Sequence, residues 1–199
     1  AKKISLGIDA AASEFYTNGR YTLEKKKLTC GKLLDIWSDT LDHYPLKNIE
    51  DPFHEEAYED FAELKYIAGK RSQIMGDDLT VTNPARIQRA IDLDSCNALL
   101  LKVNQIGTLT EALQAAKLAK AAGWNIMVSH RSGDTVDPFI ADLAVGIGAE
   151  QIKSGAPCRG ERVEKYNEMC YIITHRKEST LHARGDVITL QKQKGITKI

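Results

Sequence analysis

Apolar residues along the chain form short runs of three to five residues, which alternate with longer segments where apolar residues recur every three or four positions. Short apolar runs are typical of buried parallel strands, and the longer periodic segments are typical of helices with one buried face. Ala98–Leu101 is the clearest strand because all four residues are apolar. Thr108 and Glu111 then have the spacing of a capping box at the start of a helix. The alternation predicts an α/β fold on a parallel sheet.

Six such strand–helix units follow one another, with strands predicted at residues 4–8, 46–49, 72–75, 98–101, 125–128 and 150–152. Each strand ends in a side chain able to do chemistry: Asp9, Glu50, Asp77, Lys102, His130 and Lys153. Successive members are 41, 27, 25, 28 and 23 residues apart by subtraction, which suits one strand and one returning helix. Right-handed crossovers in series close into a barrel, whose active site lies at the carboxyl ends of its strands. We therefore expect a TIM-type (β/α) barrel with these six side chains around one mouth.

Each of these side chains, taken alone, has an ordinary structural interpretation. A single acid after a strand is usually a helix cap or a solvated loop residue, and a lone Lys or His is more often solvated or structural than catalytic. Six in succession, with Lys102 directly after four apolar residues, favour a functional site. Asp78 is interpreted as a cap or as a residue that supports Asp77. The segment between Ala10 and Leu28 is interpreted as a long polar excursion with a turn at Asn18-Gly19.

Composition excludes several classes of protein. The 199 residues suit one domain, and 43% apolar with 27% charged residues is ordinary for a soluble protein. A net charge of +0 indicates neither a nucleic-acid partner nor a membrane surface. No apolar run approaches the roughly 20 residues of a membrane span, and the N-terminus lacks the apolar core of a signal peptide. Four scattered cysteines without a CxxC pair indicate reduced thiols, so we expect a cytoplasmic protein.

The predicted ring of strand-end groups favours metal-assisted chemistry on an anion. Three carboxylates on neighbouring strands, with no cysteine among them, suit a hard cation such as Mg²⁺. Arg131 is a candidate bidentate clamp for an anion, and the Ser132 hydroxyl adds to it. Lys102, held near other cations and a divalent metal, has reason to lose its proton and act as a general base. Such a base removes a proton α to a carboxylate while the metal stabilises the enolate.

Five stretches closely resemble the enolase (phosphopyruvate hydratase) family: EDPF at 50–53, GDDLTVTN at 76–83, LLLKVNQIGT at 99–108, SHRSG at 129–133 and QIKSGAP at 151–157. They occur in the family's order and, with Gly7-Ile8-Asp9, cover residues 3–168. The resemblance implies the enolase C-terminal barrel domain and the dehydration of 2-phosphoglycerate to phosphoenolpyruvate in glycolysis. The context of Lys102 and the Ser-His-Arg-Ser stretch favour enolase over a sugar-acid enzyme of the same superfamily.

The resemblance also implies a role for each site residue. Lys102 is expected to be the base that takes the C2 proton, and Lys153 is expected to bind the substrate carboxylate. Arg131 and Ser132 are expected to hold the phosphate and a second Mg²⁺, while His130 lies by the substrate. The other implied members are the Mg²⁺ ligands Asp9, Glu50 and Asp77, of which Glu50 and Asp77 also face the substrate, and the near neighbours Gln105 and Ser129. Full-length enolases are commonly homodimers.

Two departures from the family pattern modify the expectation. The chain begins directly before the strand that carries Asp9, so the N-terminal domain, the first two barrel strands and the family's general acid are expected to be absent. The resemblance stops near residues 166–169, so we predict a partial barrel domain over 1–168 and a divergent, poorly ordered tail over 169–199. Little activity of this chain alone is therefore expected. The alternative is a non-catalytic enolase fragment that binds metal or phosphate and acts as an interaction module.

Overall fold

The structure is a computed structural model that describes residues 5–175, 182–183 and 186–187. The chain divides into two units, Ala1–Asn125 and Ile126–Ile199. Elements of the first unit are β1 (Leu6–Asp9), a 3₁₀ turn (Ala12–Phe15), β2 (Tyr16–Thr17), β3 (Arg20–Leu23), β4 (Lys26–Leu28), α1 (Cys30–His43), β5 (Leu46–Glu50), α2 (Tyr58–Ala68), β6 (Gln73–Gly76), α3 (Pro84–Asp92), β7 (Ala98–Leu101), α4 (Val103–Ile106) and α5 (Leu109–Ala121).

The second unit begins within β8 (Asn125–Ser129), followed by α6 (Phe139–Gly146), β9 (Gln151–Lys153), α7 (Gly160–His175), β10 (His182–Ala183) and β11 (Asp186–Val187). In the first unit, β1, β5, β6 and β7 pair in that order as a parallel sheet. In the second, β8 pairs in parallel with β9, and β10 pairs with β11 in an antiparallel ladder. All six predicted strands are present, and each pairs in parallel with a neighbour in its own unit, so the α/β fold class is confirmed.

Three helix starts follow from capping residues in the sequence. The side chains of Thr29, Asn83 and Thr108 accept backbone N–H groups of the first turns of α1, α3 and α5, respectively. The Thr108 hydroxyl also donates to the Glu111 carboxylate at 2.6 Å, so of the predicted capping box the structure shows the bond from the Glu111 N–H to the Thr108 side chain. Asn83 rather than Asp78 therefore caps α3, directly after the turn that carries the candidate acids.

Apolar residues are not all buried along the helices. Leu109 of α5 is 42% exposed, and the buried face of this helix carries Ala112, Ala115, Ala116 and Ala119. Ile36 of α1 is 37% exposed, while Leu34 is buried. All four residues of the neighbouring strand β7 are buried.

The segment from Ala10 to Leu28 is more ordered than the predicted polar excursion. It contains a three-stranded antiparallel meander, β2–β3–β4, whose first turn lies at Asn18-Gly19 as predicted. Both turn residues have positive φ, 53° and 77°, as a tight hairpin turn requires. Tyr21 anchors the meander because its ring is buried and its hydroxyl accepts the His54 N–H at 2.9 Å. The strands are too short for their alternation to be recognised in the sequence.

The predicted domain boundary at residue 168 falls within α7, which continues to His175. Met169 and Ile172, on the far side of that boundary, are buried. A separate, poorly ordered tail over 169–199 stays a prediction, and most of it lies outside the described residues. Among the described residues, no helix combines the length and apolar character that a membrane crossing requires.

Thiol reactivity tests the packing of this fold. Cys96 is fully buried and Cys30 is partly buried, and burial raises the pKa of the Cys30 thiol to about 12. Cys158 and Cys170 are exposed. Since the thiolate is the reactive form, Ellman's reagent at pH 8 is expected to modify two thiols quickly and two more only after denaturation. A double variant Cys158→Ser/Cys170→Ser should lose the fast phase, and a third fast thiol in the folded protein would contradict the structure.

Candidate active site

The three predicted metal carboxylates lie at neighbouring strand ends in the first unit. Asp9 at the end of β1 is in register with Glu50 at the end of β5, and Glu50 is in register with Met75 of β6. Asp77 follows two residues after Met75. Adjacent strands are about 4.8 Å apart, so the fold places these acids side by side as the sequence predicts. Glu50 and Asp77 are buried, whereas Asp9 is exposed.

Asp51 is a site residue that the sequence analysis did not single out. Its carboxylate accepts the backbone N–H of Asp77 at 3.0 Å and that of Asp78 at 2.8 Å. Its own N–H donates to the carbonyl of Met75 at 3.0 Å. The residue is 2% exposed, and burial raises the pKa of its carboxyl to about 8, although the two backbone N–H groups oppose the rise. Asp51 thus joins the end of β5 to the turn that follows β6.

Asp51 belongs to the EDPF stretch and precedes Pro52, which marks a turn, but neither signal indicates a partner for its side chain. Asp51 has φ 43°, a left-handed conformation that Asp tolerates better than most residues. This conformation turns the carboxylate of Asp51 away from the regular alternation of β5. The result depends on backbone geometry, so residue spacing alone does not predict it.

Carboxylate oxygens of Asp51, Asp77 and Asp78 lie within 4.8 Å of one another. Burial and the neighbouring Asp77 charge raise the pKa of Asp78. A cluster of acids with oxygen donors alone fits a hard divalent cation such as Mg²⁺. Both oxygens of Asp51 already accept N–H groups, so within this cluster Asp77 is better placed to ligate a cation, and Asp51 to hold the turn.

Lys102, the residue after β7, forms an ion pair with the Oδ2 atom of Asp77. The other oxygen of Asp77 accepts the Gln105 side-chain amide at 2.8 Å. Thr82 connects the two partners, since its hydroxyl donates to Gln105 at 2.8 Å and accepts the Lys102 backbone N–H at 3.0 Å. The structure therefore brings Asp77, Lys102 and Gln105 together, as expected.

The turn between β6 and α3 carries two consecutive β-branched residues with positive φ, Val81 at 42° and Thr82 at 56°. Such conformations are strained for β-branched residues and persist where surrounding contacts enforce them. The contacts here include the carbonyl of Leu79, which accepts the Tyr58 hydroxyl at 3.1 Å and the Arg86 Nε–H at 2.8 Å. In this strained turn, the Thr82 hydroxyl lies between Lys102 and Gln105 and binds both.

In the second unit, the strand ends of β8 and β9 carry the predicted anion-binding groups. Ser129 is in register with Lys153, and the His130 N–H donates to the Lys153 carbonyl at 2.9 Å. His130 and Lys153 are therefore neighbours at the carboxyl ends of two paired strands. Arg131 and Ser132 follow in an exposed loop, where the Arg131 N–H donates to the Asp134 carboxylate at 3.1 Å. Their side chains are accessible to an anion from solution.

Comparison with known proteins identifies the family. The family model described as "Enolase, C-terminal TIM barrel domain" matches residues 1–189. The chain belongs to the enolase family. An enolase from Methanopyrus kandleri is 54% identical over 173 residues, which is 86% of this chain and 40% of that relative. The resemblance of the sequence to enolase is thus confirmed, and the chain spans 40% of the length of this curated relative. The six parallel strands correspond to part of the eight-stranded barrel of this Mg²⁺-dependent family.

The substitution Asp51→Asn tests whether the Asp51 side chain anchors the turn that begins at Asp77. Asparagine retains one acceptor oxygen and places an amide N–H₂ opposite a backbone donor, so one buried N–H group loses its partner. A buried unsatisfied donor costs about 1–3 kcal/mol, and we expect a loss of that size in the free energy of unfolding measured with urea. Asp35→Asn, at an exposed residue of α1, is the matched control and should change little. A loss below about 0.5 kcal/mol for Asp51→Asn would contradict the anchoring role.

Proposed function

We propose that this chain carries the metal-binding and proton-abstracting part of an enolase site, which dehydrates 2-phosphoglycerate to phosphoenolpyruvate. The main support is the meeting of Lys102 and Gln105 on the carboxylate of Asp77. This arrangement puts a candidate base beside a candidate metal ligand at the carboxyl ends of two paired strands. The family membership and the matching motifs support the same reaction.

We assign Asp9, Glu50 and Asp77 as the Mg²⁺ ligands. Strand pairing brings their chain positions together, and their carboxylate oxygens are the donors this cation prefers. When bound, Mg²⁺ supplies positive charge for the enolate that develops on the substrate. Asp51 holds the backbone of Asp77 and Asp78, and so fixes the direction in which Asp77 projects.

Lys102 is the assigned base for the C2 proton. Its ion pair with Asp77 keeps the ammonium group at the site, while Thr82 fixes the Lys102 backbone. Lys102 can accept the C2 proton only as a neutral amine. A cation bound to the Asp77 carboxylate would compete with Lys102 for that carboxylate. Gln105 also donates its side-chain amide to the Asp77 carboxylate at 2.8 Å.

The second unit contributes the assigned anion-binding groups. Lys153 is assigned to the substrate carboxylate, and Arg131 with Ser132 to the phosphate, because a guanidinium binds such groups through two parallel hydrogen bonds. His130 lies next to Lys153, and the Ser129 hydroxyl donates to the His130 carbonyl at 3.0 Å. His130 and Ser129 thus border the assigned anion site.

The second candidate is binding without turnover. We assign no general acid for the departing hydroxyl among the residues that the structure describes, and general acid–base assistance contributes about 10²–10⁴ in rate. The cluster of Asp51, Asp77 and Asp78 in the first unit is held by contacts within that unit. The anion loop of the second unit, residues 130–135, is likewise held by contacts within its own unit. A fragment with such sites can bind metal or phosphate and act as an interaction module even where the reaction is slow.

Turnover of 2-phosphoglycerate separates the two candidates. With saturating Mg²⁺, the chain is expected to form phosphoenolpyruvate at a low rate, measured by its ultraviolet absorbance, and Lys102→Ala should remove that rate. Lys120→Ala, at an exposed position of α5, is the control and should retain it. A folded wild-type chain without turnover would favour binding alone, and equal rates for wild type and Lys102→Ala would exclude Lys102 as the base.

Thermal stabilisation by Mg²⁺ tests the metal site without activity. A ligand at a hundred times its Kd stabilises the folded state by about 2.7 kcal/mol, which corresponds to a rise in Tm of about 5–10 °C for a chain of this size. Asp77→Asn is expected to abolish the rise because it removes the ligand charge. Asp92→Asn, on the exposed side of α3, should leave it intact. An unchanged rise in Asp77→Asn would contradict the assigned site.

A further inference from the structure

Arg162 lies in the first turn of α7, and its side chain is almost fully buried against the anion loop, residues 130–135. Its guanidinium donates to the carbonyl of Arg131 at 2.7 Å and to the carbonyl of Ser132 at 2.9 Å. The same nitrogen that binds the Arg131 carbonyl also contacts the Nδ1 atom of His130. One buried cation therefore binds three consecutive residues of the loop.

We propose that Arg162 is a positioning residue that fixes the tautomer of His130. A guanidinium has five N–H donors and no acceptor, so the Nδ1 atom of His130 must accept in this contact. The ring proton of the neutral imidazole then lies on Nε2. His130 presents an N–H donor on the side of the ring away from Arg162. The tautomer itself does not depend on the proposed function. Only the use of the Nε2–H donor, which is to bind an oxygen of an anionic substrate, rests on that function.

The surroundings show that the contact is built into this unit. Lys165, one turn further along α7, is 1% exposed and donates to the Asp134 carboxylate at 3.0 Å. It also binds the carbonyls of Thr135 and Glu161. Lys165 therefore holds the far end of the anion loop, while Arg162 holds the near end. Of these two buried cations, Arg162 is therefore the one that contacts the imidazole ring of His130.

Gly155 provides the space for this contact. A Cβ atom at this position would lie 3.2 Å from Cδ of Arg162 and 3.3 Å from Cε1 of His130. Its φ of +77° also favours glycine. The chain thus has a residue without a side chain at the point where the arginine meets the histidine ring, directly after Lys153-Ser154.

The tautomer is measurable by long-range ¹H–¹⁵N correlation of the histidine rings in the full chain, without Mg²⁺ or substrate. His130→Gln assigns the His130 signals among the five histidines. In the wild type we expect an unprotonated Nδ1 and a protonated Nε2. Arg162→Met removes the donor and is expected to give a mixed or reversed tautomer. Arg159→Met, an exposed neighbour in the same segment, is the matched control and should keep the wild-type pattern.

A proton on Nδ1 of His130 in the wild type would overturn the proposal by itself, so the test survives a failure of Arg162→Met to fold. An unchanged tautomer in folded Arg162→Met would also overturn it. Arg162→Lys, which restores a donor, is expected to recover part of the Nε2–H signal. These spectra need no turnover. The tautomer proposal can therefore fail while the proposed dehydration of 2-phosphoglycerate stands, and the proposed dehydration can fail while the tautomer proposal stands.

Discussion

The buried carboxylate of Asp51 determines where the acids of the first unit lie. It accepts two consecutive backbone N–H groups, those of Asp77 and Asp78, from a strand adjacent to its own. A regular strand end cannot donate two successive N–H groups to one side chain, so this contact also requires the turn that begins at Asp77. That turn contains the strained Val81 and Thr82, and the Thr82 hydroxyl in turn fixes Lys102. Asp77 and Lys102, the proposed metal ligand and base, are therefore positioned by one connected set of hydrogen bonds.

Charge repulsion among the carboxylates of Asp51, Asp77 and Asp78 destabilises the folded state when no cation is bound. Three carboxylates within 4.8 Å repel one another, and the structure relieves the repulsion through the raised pKa of Asp51 and through the ammonium of Lys102. A divalent cation bound to these oxygens would relieve it more completely and would compete with Lys102 for Asp77.

Local signals made the strands, the helix caps and the strand-end groups predictable from the sequence. Thr29, Asn83 and Thr108 cap their helices because a side-chain oxygen and a neighbouring N–H group are close in sequence. Asp51 and Arg162 were not predictable in this way. Their partners lie 26 to 32 residues away, and their roles depend on a left-handed backbone in one case and on the burial of a helix start in the other.

The most direct test of the account is a crystal structure of the chain grown with Mg²⁺, since the exchange of partners at Asp77 is its central claim. We expect a cation bound to the carboxylate of Asp77, with Nζ of Lys102 moved beyond hydrogen-bonding distance of that carboxylate. Asp51 should still accept the N–H groups of Asp77 and Asp78. A cation bound elsewhere, or one at Asp77 with the Lys102 ion pair intact, would contradict the account.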